Sequence, residues 1–188
     1  MLGFFHMSSS ATPAQAGLQY PLGRFQPPAE VSEADRKDWI AAIEQLPEQL
    51  SAAVASLSEQ QLDTPYRPGG WTVRQVVHHL ADSHMNCYLR YRFALTEDKP
   101  RIAPYDQAIW AEIPDAKTGP VASSLDLLTG LHRRWAMLLR SMNEQQFARA
   151  FLHPERGEVR LDWATGLYAW HGRHHVAQIV GLREREKW

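Results

Sequence analysis

Six of the nine histidines fall in two short clusters. His78, His79 and His84 lie in VVHHLADSH, and His171, His174 and His175 lie in YAWHGRHHVAQ. The second cluster contains an HxxxH pair, His171 and His175. On a helix, residues four apart share a face, with Cβ atoms ~5–6 Å apart. Two imidazoles so placed can hold one divalent metal from a single helix. A third from the other cluster completes a three-histidine site with an open coordination position, which belongs to catalysis, because a structural site would be closed. The peptidase form HExxH is absent, since Gly172, Arg173 and His174 stand between the pair. The glutamate base of a zinc peptidase is therefore missing from its usual place. No Cys-x-x-Cys pattern competes. The one cysteine, Cys87, sits mid-helix and reads as a small buried apolar residue rather than a nucleophile.

Composition sets bounds. The chain has 188 residues, 44% hydrophobic and 22% charged, which suits one domain with a real core. A formal charge of −1 leaves no basic surplus for nucleic acid. No apolar run approaches the roughly 20 residues that cross a bilayer. The start, MLGFFHMSSSATPAQAG, lacks a basic n-region and does not resemble a signal peptide. It reads as a mobile leader over residues 1–17, followed by a single domain over 18–188. One cysteine excludes an intramolecular disulfide and suits a reducing cytoplasm.

The elements that must position these histidines are helices. From about Val31 to Leu57, apolar residues recur at helical spacing, with Pro47 expected to kink the helix or restart it. DTPYRPGG, Asp63 to Gly70, is a loop signal. A capping box, Thr72 with Gln75, opens a helix that runs to about Thr96. Its stripe is Val73, Val76, Val77, Leu80, His84, Cys87, Tyr88 and Tyr91. A long connection from Glu97 to about Ala122 holds four prolines and one short helix near Gln107 to Glu112, and connections of this length are often functional. A third helix spans roughly Ser123 to Met142. Phe151 to Arg160 reads as a turn or small hairpin, and a fourth helix runs from about Asp162 toward Arg185. Four main helices with one long connection fit an all-α bundle.

A faint internal repeat bears on the choice of ligand. Leu57-Ser-Glu-Gln-Gln-Leu62 resembles Met142-Asn-Glu-Gln-Gln-Phe147. Trp71 precedes His79 by eight residues, as Trp163 precedes His171. Periodicity alone leaves His78 and His79 equally placed beside the apolar stripe; the repeat favours His79.

GGWTVRQVVHHLADSHMN, PYDQAIWAEI and LYAWHGRHHVAQI, with YPLGRFQPP and DTPYRPGGW, closely resemble the YfiT-like branch of the DinB superfamily, from about Tyr20 to the C-terminus. The resemblance implies a DinB-like four-helix bundle, up-down-down-up, with one divalent metal, Zn²⁺ or Ni²⁺, held by His79, His171 and His175. It implies a candidate metal-dependent hydrolase or a thiol S-transferase using bacillithiol or a similar small thiol. It also implies a homodimer.

The ligand set suggests the chemistry. Three neutral imidazoles leave a divalent cation its full charge, which acidifies a coordinating thiol or water. Thiol transfer to a small electrophile then needs little further base. Hydrolysis of an ester or amide benefits from one, and Asp82, Asp106 and Glu112 are the candidates, each also readable as a solvated carboxylate or helix cap. Arg90, Arg92, Arg173 and His174 offer positive charge for a carboxylate-bearing thiol, and Trp110 and Trp170 offer apolar pocket walls. A metal-binding stress protein without catalysis is the third reading.

Overall fold

The computed structural model describes residues 17–188. The leader anticipated over residues 1–17 lies, apart from Gly17, outside them. Four long helices carry the structure: α1 (Glu33–Val54), α3 (Val73–Thr96), α6 (Val121–Ser141) and α8 (Leu161–Glu186). Between them lie one-turn helices α2 (Glu59–Leu62), α4 (Gln107–Trp110) and α7 (Glu144–Phe147), with the slightly longer α5 (Pro114–Thr118). A two-stranded antiparallel hairpin, β1 (Ala150–His153) and β2 (Gly157–Arg160), precedes α8, and pairs Ala150 with Arg160 and His153 with Gly157. Gly157, at φ +72°, supplies the left-handed residue that closes its turn.

Local chemistry explains where the helices start. Thr72 and Gln75 form the anticipated reciprocal cap of α3, with Thr72 Oγ1 accepting from the Gln75 amide at 3.1 Å and Gln75 Oε1 accepting from the Thr72 amide at 3.0 Å. Ser32 with Asp35 caps α1, Ser58 with Gln61 caps α2 and Asn143 with Gln146 caps α7 in the same way. The two halves of the internal repeat thus become equivalent one-turn helices, each burying its last apolar residue, Leu62 or Phe147. The whole anticipated stripe of α3 is buried.

Side-chain pairs fix the direction of each helix. Glu44 meets Arg140, and Arg36 nearer the start of α1 meets Glu144 just past the end of α6, so α1 and α6 are antiparallel. Asp38 meets Arg173 and Ala53 meets Arg183, so α1 and α8 run parallel. His78 reaches Ser124 and His84 reaches His132, so α3 and α6 are parallel. His79 faces His171 and Tyr91 bonds to Leu161, so α3 and α8 are antiparallel. The order is up-down-down-up. A parallel α3–α6 pair requires a return over the length of α3, roughly 36 Å for its 24 residues. The proline-rich connection is that return. It holds two short helices where the sequence suggested one, because Pro114 sits at the first position of α5, where its missing N–H costs nothing. Pro47 is accommodated within a continuous α1 rather than ending it.

Gly172 sets the distance between α1 and α8. A Cβ there would come within 2.7 Å of Leu46 Cδ2 and 3.2 Å of its Cγ. Leu46 is buried and cannot swing into solvent. Gly130, mid-way along α6, has nothing within 4 Å of the same position and is exposed. Alanine at either site gains about 1 kcal/mol of helix propensity. At Gly172 that gain is set against an overpacking cost of about 1–3 kcal/mol. Gly130→Ala should therefore raise the thermal midpoint and Gly172→Ala lower it, by roughly 2–4 °C per kcal/mol for a chain of this size. Paired calorimetric scans check the sign at each position.

Candidate metal centre

His171 and His175 stand one turn apart on α8, and α3 brings His79 against them from the opposite direction. The Nε2 atoms of His79 and His175 each lie 3.2 Å from Nε2 of His171. One nitrogen from each ring falls within a sphere in which all are less than 4.8 Å apart. Ligands at about 2.0–2.1 Å around a tetrahedral zinc are separated by about 3.3–3.4 Å along each edge. The donor type, the count and the two measured edges fit one divalent cation with a fourth position free.

Burial keeps the rings neutral. It lowers His79 from its ordinary 6.5 to about 4, and holds His171 and His175 well below the usual histidine range. Each ring is braced. Trp71 lies against His79 with centroids 4.6 Å apart. Gln178 Oε1 accepts from His175 Nδ1 at 2.8 Å. Nδ1 of His171 meets Nε2 of His84 at 3.1 Å, and His84 Nδ1 meets Nε2 of the buried His132 at 3.0 Å.

His78 turns the other way. Its Nδ1 accepts from Ser124 Oγ at 2.8 Å, and its Nε2 donates to the Gly119 carbonyl at 3.1 Å. His174 stacks on Trp170, centroids 4.6 Å apart, and accepts from Gln178 Nε2. Cys87 is fully buried, and burial pushes its thiol far above the range in which it would ionise.

Two connected clefts meet at His171, of about 1040 and 570 Å³. Arg156, Trp163, Leu167, Trp170 and Gln107 line both. The smaller contains all three convergent histidines together with Arg24, Arg67 and Arg156, and no carboxylate among the described residues. Arg90 and His153 line the larger cleft.

The candidate bases are placed as follows. Asp106 lines the larger cleft, but its carboxylate is engaged as the cap of α4, accepting from the Ala108 and Ile109 amides. Glu112 is exposed and bound to Lys117 and Gln75, and the Lys117 contact holds its carboxyl below the usual range. Asp82 is half-buried; burial, and then Asp115 of α5, push its carboxyl up to about 6. Its charged neighbour thus lies on the crossover, and Asp82 lines neither cleft. Arg173 is exposed and paired with Asp38 on the outer α1–α8 surface. Arg92 is exposed, and Trp110 packs on Tyr105 at 4.3 Å rather than lining either cleft. The sequence reading did not single out His132. Its signal was its place in the α6 stripe, four residues after Leu128 and three before Trp135.

These shifts set the pH behaviour of the metal-free protein. His79, His132 and His174 are each lowered from 6.5 to about 4 by burial. Between those values the unfolded chain binds more protons than the folded one, so stability rises with pH across the window. It should be complete above pH 6.5 and fall progressively toward pH 4, by up to about 1.4 kcal/mol per pH unit for each histidine. Urea titrations of chelator-stripped protein at stepped pH check this; a flat profile over that window would contradict it.

The sequence family description that matches residues 33–179 is that of the DinB superfamily. YfiT of Bacillus subtilis, named as a candidate metal-dependent hydrolase, is 50% identical over 172 residues, covering 91% of this chain and 97% of YfiT. A Bacillus mycoides protein with the same description is 53% identical over 171 residues, covering 91% of this chain and 98% of that one. The solved structure of B. subtilis YfiT, reported to have an unusual four-helix bundle topology, superposes with a TM-score of 0.89 at 49% identity, over 92% of this chain and 99% of that one. The helix order and directions derived above, and similarity along nearly the whole chain, place this protein in the DinB superfamily, on its YfiT-like branch.

Proposed function

We propose that the protein is a metal-dependent enzyme that uses His79, His171 and His175 to hold one divalent cation, Zn²⁺ or Ni²⁺, and transfers a small anionic thiol to an electrophile. The observation that carries this reading is the cleft lined by the three convergent imidazoles. It offers three arginines and, among the described residues, no carboxylate. A cation held there by neutral imidazoles supplies Lewis acidity that favours thiolate over thiol. The residues of the chain then have separate tasks. Arg24, Arg67 and Arg156 attract the carboxylates of a bacillithiol-like co-substrate. Trp163, Leu167 and Trp170 give the shared wall of the clefts an apolar surface for the electrophile. The sulfur forms the new S–C bond, the leaving group departs with its electron pair, and the thiol proton passes to solvent.

Hydrolysis of an ester or amide is the second reading, and the names of the relatives favour it. It benefits from a base beside the attacking water. Asp106 and Glu112 are both already engaged and Asp82 lies toward the crossover, which leaves Glu155 as the further carboxylate of the larger cleft.

Replacing His79, His171 or His175 by alanine should each abolish stoichiometric metal binding, whereas His78→Ala should leave it intact; elemental analysis of the purified variants decides. Activity should disappear with chelator and return with Zn²⁺ or Ni²⁺. With a haloaromatic electrophile and bacillithiol, conjugate formed should equal thiol consumed. Arg156→Ala should raise KM for an anionic thiol by several-fold while changing that for a neutral thiol little. Equal turnover without thiol, with water in the product, would replace this reading by the hydrolytic one.

A further inference from the structure

A line of hydrogen bonds joins the proposed metal ligand His171 to the main chain of α1. His132 Nδ1 bonds to the Ile43 carbonyl, His132 Nε2 to His84 Nδ1, and His84 Nε2 to His171 Nδ1. The rings are inclined by only 21° and 29° to one another, with centroids 4.9 and 5.3 Å apart. The facing nitrogens are 3.0 and 3.1 Å apart, as N–H···N bonds require. His84 is 0% and His132 1% exposed, and all four of their nitrogens are engaged within the line.

The direction of the line follows from its far end. A carbonyl only accepts, so the proton of His132 sits on Nδ1 and its Nε2 is the acceptor. His84 must then donate from Nδ1 and accept at Nε2. His171 in turn must donate from Nδ1, which leaves its Nε2 as a bare lone pair. Both inner rings are buried and no carboxylate joins the line, so each ring carries a single N–H. The Ile43 carbonyl is available because its helical partner, four residues on, is Pro47, which has no N–H to offer.

We propose that Pro47, the Ile43 carbonyl, His132 and His84 form a relay that fixes His171 as the Nδ1–H tautomer, so that its Nε2 lone pair faces the convergence point before any cation arrives. His132 and His84 are positioning residues in this scheme. Gln178 does the same for His175 in one step. Its Nε2 donates to the Gln19 carbonyl at 2.9 Å, which turns Oε1 toward His175 Nδ1 and leaves His175 Nε2 bare. Two of the three nitrogens are thereby set by main-chain carbonyls, those of Ile43 and Gln19. The relay rests on the metal-centre reading only for its purpose; its tautomers exist without the metal.

The test has two arms. Long-range ¹H–¹⁵N spectra of chelator-stripped full-length protein, labelled at histidine, should show N–H at Nδ1 and a bare Nε2 for His132, His84 and His171. A proton on Nε2 of His171 overturns the proposal, and this arm needs no variant to fold. In the second arm, metal affinity is measured by competition with a chromophoric chelator. His132→Phe removes the acceptor and frees His84 to reverse, and should weaken Zn²⁺ binding about 10–100-fold. His132→Gln keeps an acceptor toward His84 and should lose clearly less. Equal losses in the two variants, or values for both within about twofold of wild type, overturn it. If the wild type takes up no divalent cation, the metal-centre reading fails while the tautomer spectra still decide the relay.

Discussion

Three converging imidazole nitrogens, with Nε2 of His79 and of His175 each 3.2 Å from Nε2 of His171, are the constraint around which this fold is arranged. The bare lone pairs of His171 and His175 at that separation repel, and the rings cannot relieve the repulsion by charging, because burial disfavours the imidazolium. The arrangement is therefore costly without a cation and must be held by its surroundings. Those surroundings are stiff. Gly172 lets α8 lie close against Leu46 of α1, and Trp71 packs against His79. Gln178 and His84 tie back the far nitrogens of His175 and His171. These supports come from α1, α3, α8 and the loop before α3, so the convergence of three rings reports on the packing of the bundle.

The chain direction of the helices follows from the same demand. An antiparallel α3–α8 pair brings one histidine cluster onto the other. A parallel α3–α6 pair places His132 beside His84, five residues beyond His79 on the same helix. That parallel pair is what makes the crossover long. The crossover in turn contributes Pro104, Tyr105, Asp106 and Gln107 to the wall of the larger cleft. A short hairpin between α3 and α6 would reverse the direction of α6 and leave that wall unbuilt.

Much of this was legible in the sequence because it is local. The stripe of α3 and its Thr72–Gln75 cap are written in spacing of three and four residues, and the structure follows them. The HxxxH spacing carries the α8 half of the histidine convergence, and the Trp-to-His repeat preferred His79 to His78. The repeated Glu-Gln-Gln segments became equivalent capped turns. What stayed hidden depends on distance along the chain or on engagement of a side chain. Asp106 and Glu112 are ordinary candidate bases until their partners are seen: two backbone amides for one, Lys117 and Gln75 for the other. Arg173 sits between two site histidines in sequence, yet a helix turns it outward to Asp38. Trp110 was expected in a pocket wall and instead packs on Tyr105. Pro114 reads as a loop residue because a helix of five residues leaves no periodicity to detect.

Pro47 shows how a residue can be noticed and its consequence still missed. In sequence it is a helix breaker, and the usual question is whether the helix survives. Here the helix continues, and the consequence lies in what the proline withholds. By donating nothing, it leaves one carbonyl inside the bundle without its helical partner. A buried carbonyl needs a donor from elsewhere, since an unpaired one costs about 1–3 kcal/mol. His132 supplies it, and because a carbonyl cannot donate, that single bond orients every proton between α1 and His171. A defect in the hydrogen-bond ladder of one helix thus sets the lone pair on another, through His132 of α6 and His84 of α3, which share no neighbourhood in the sequence.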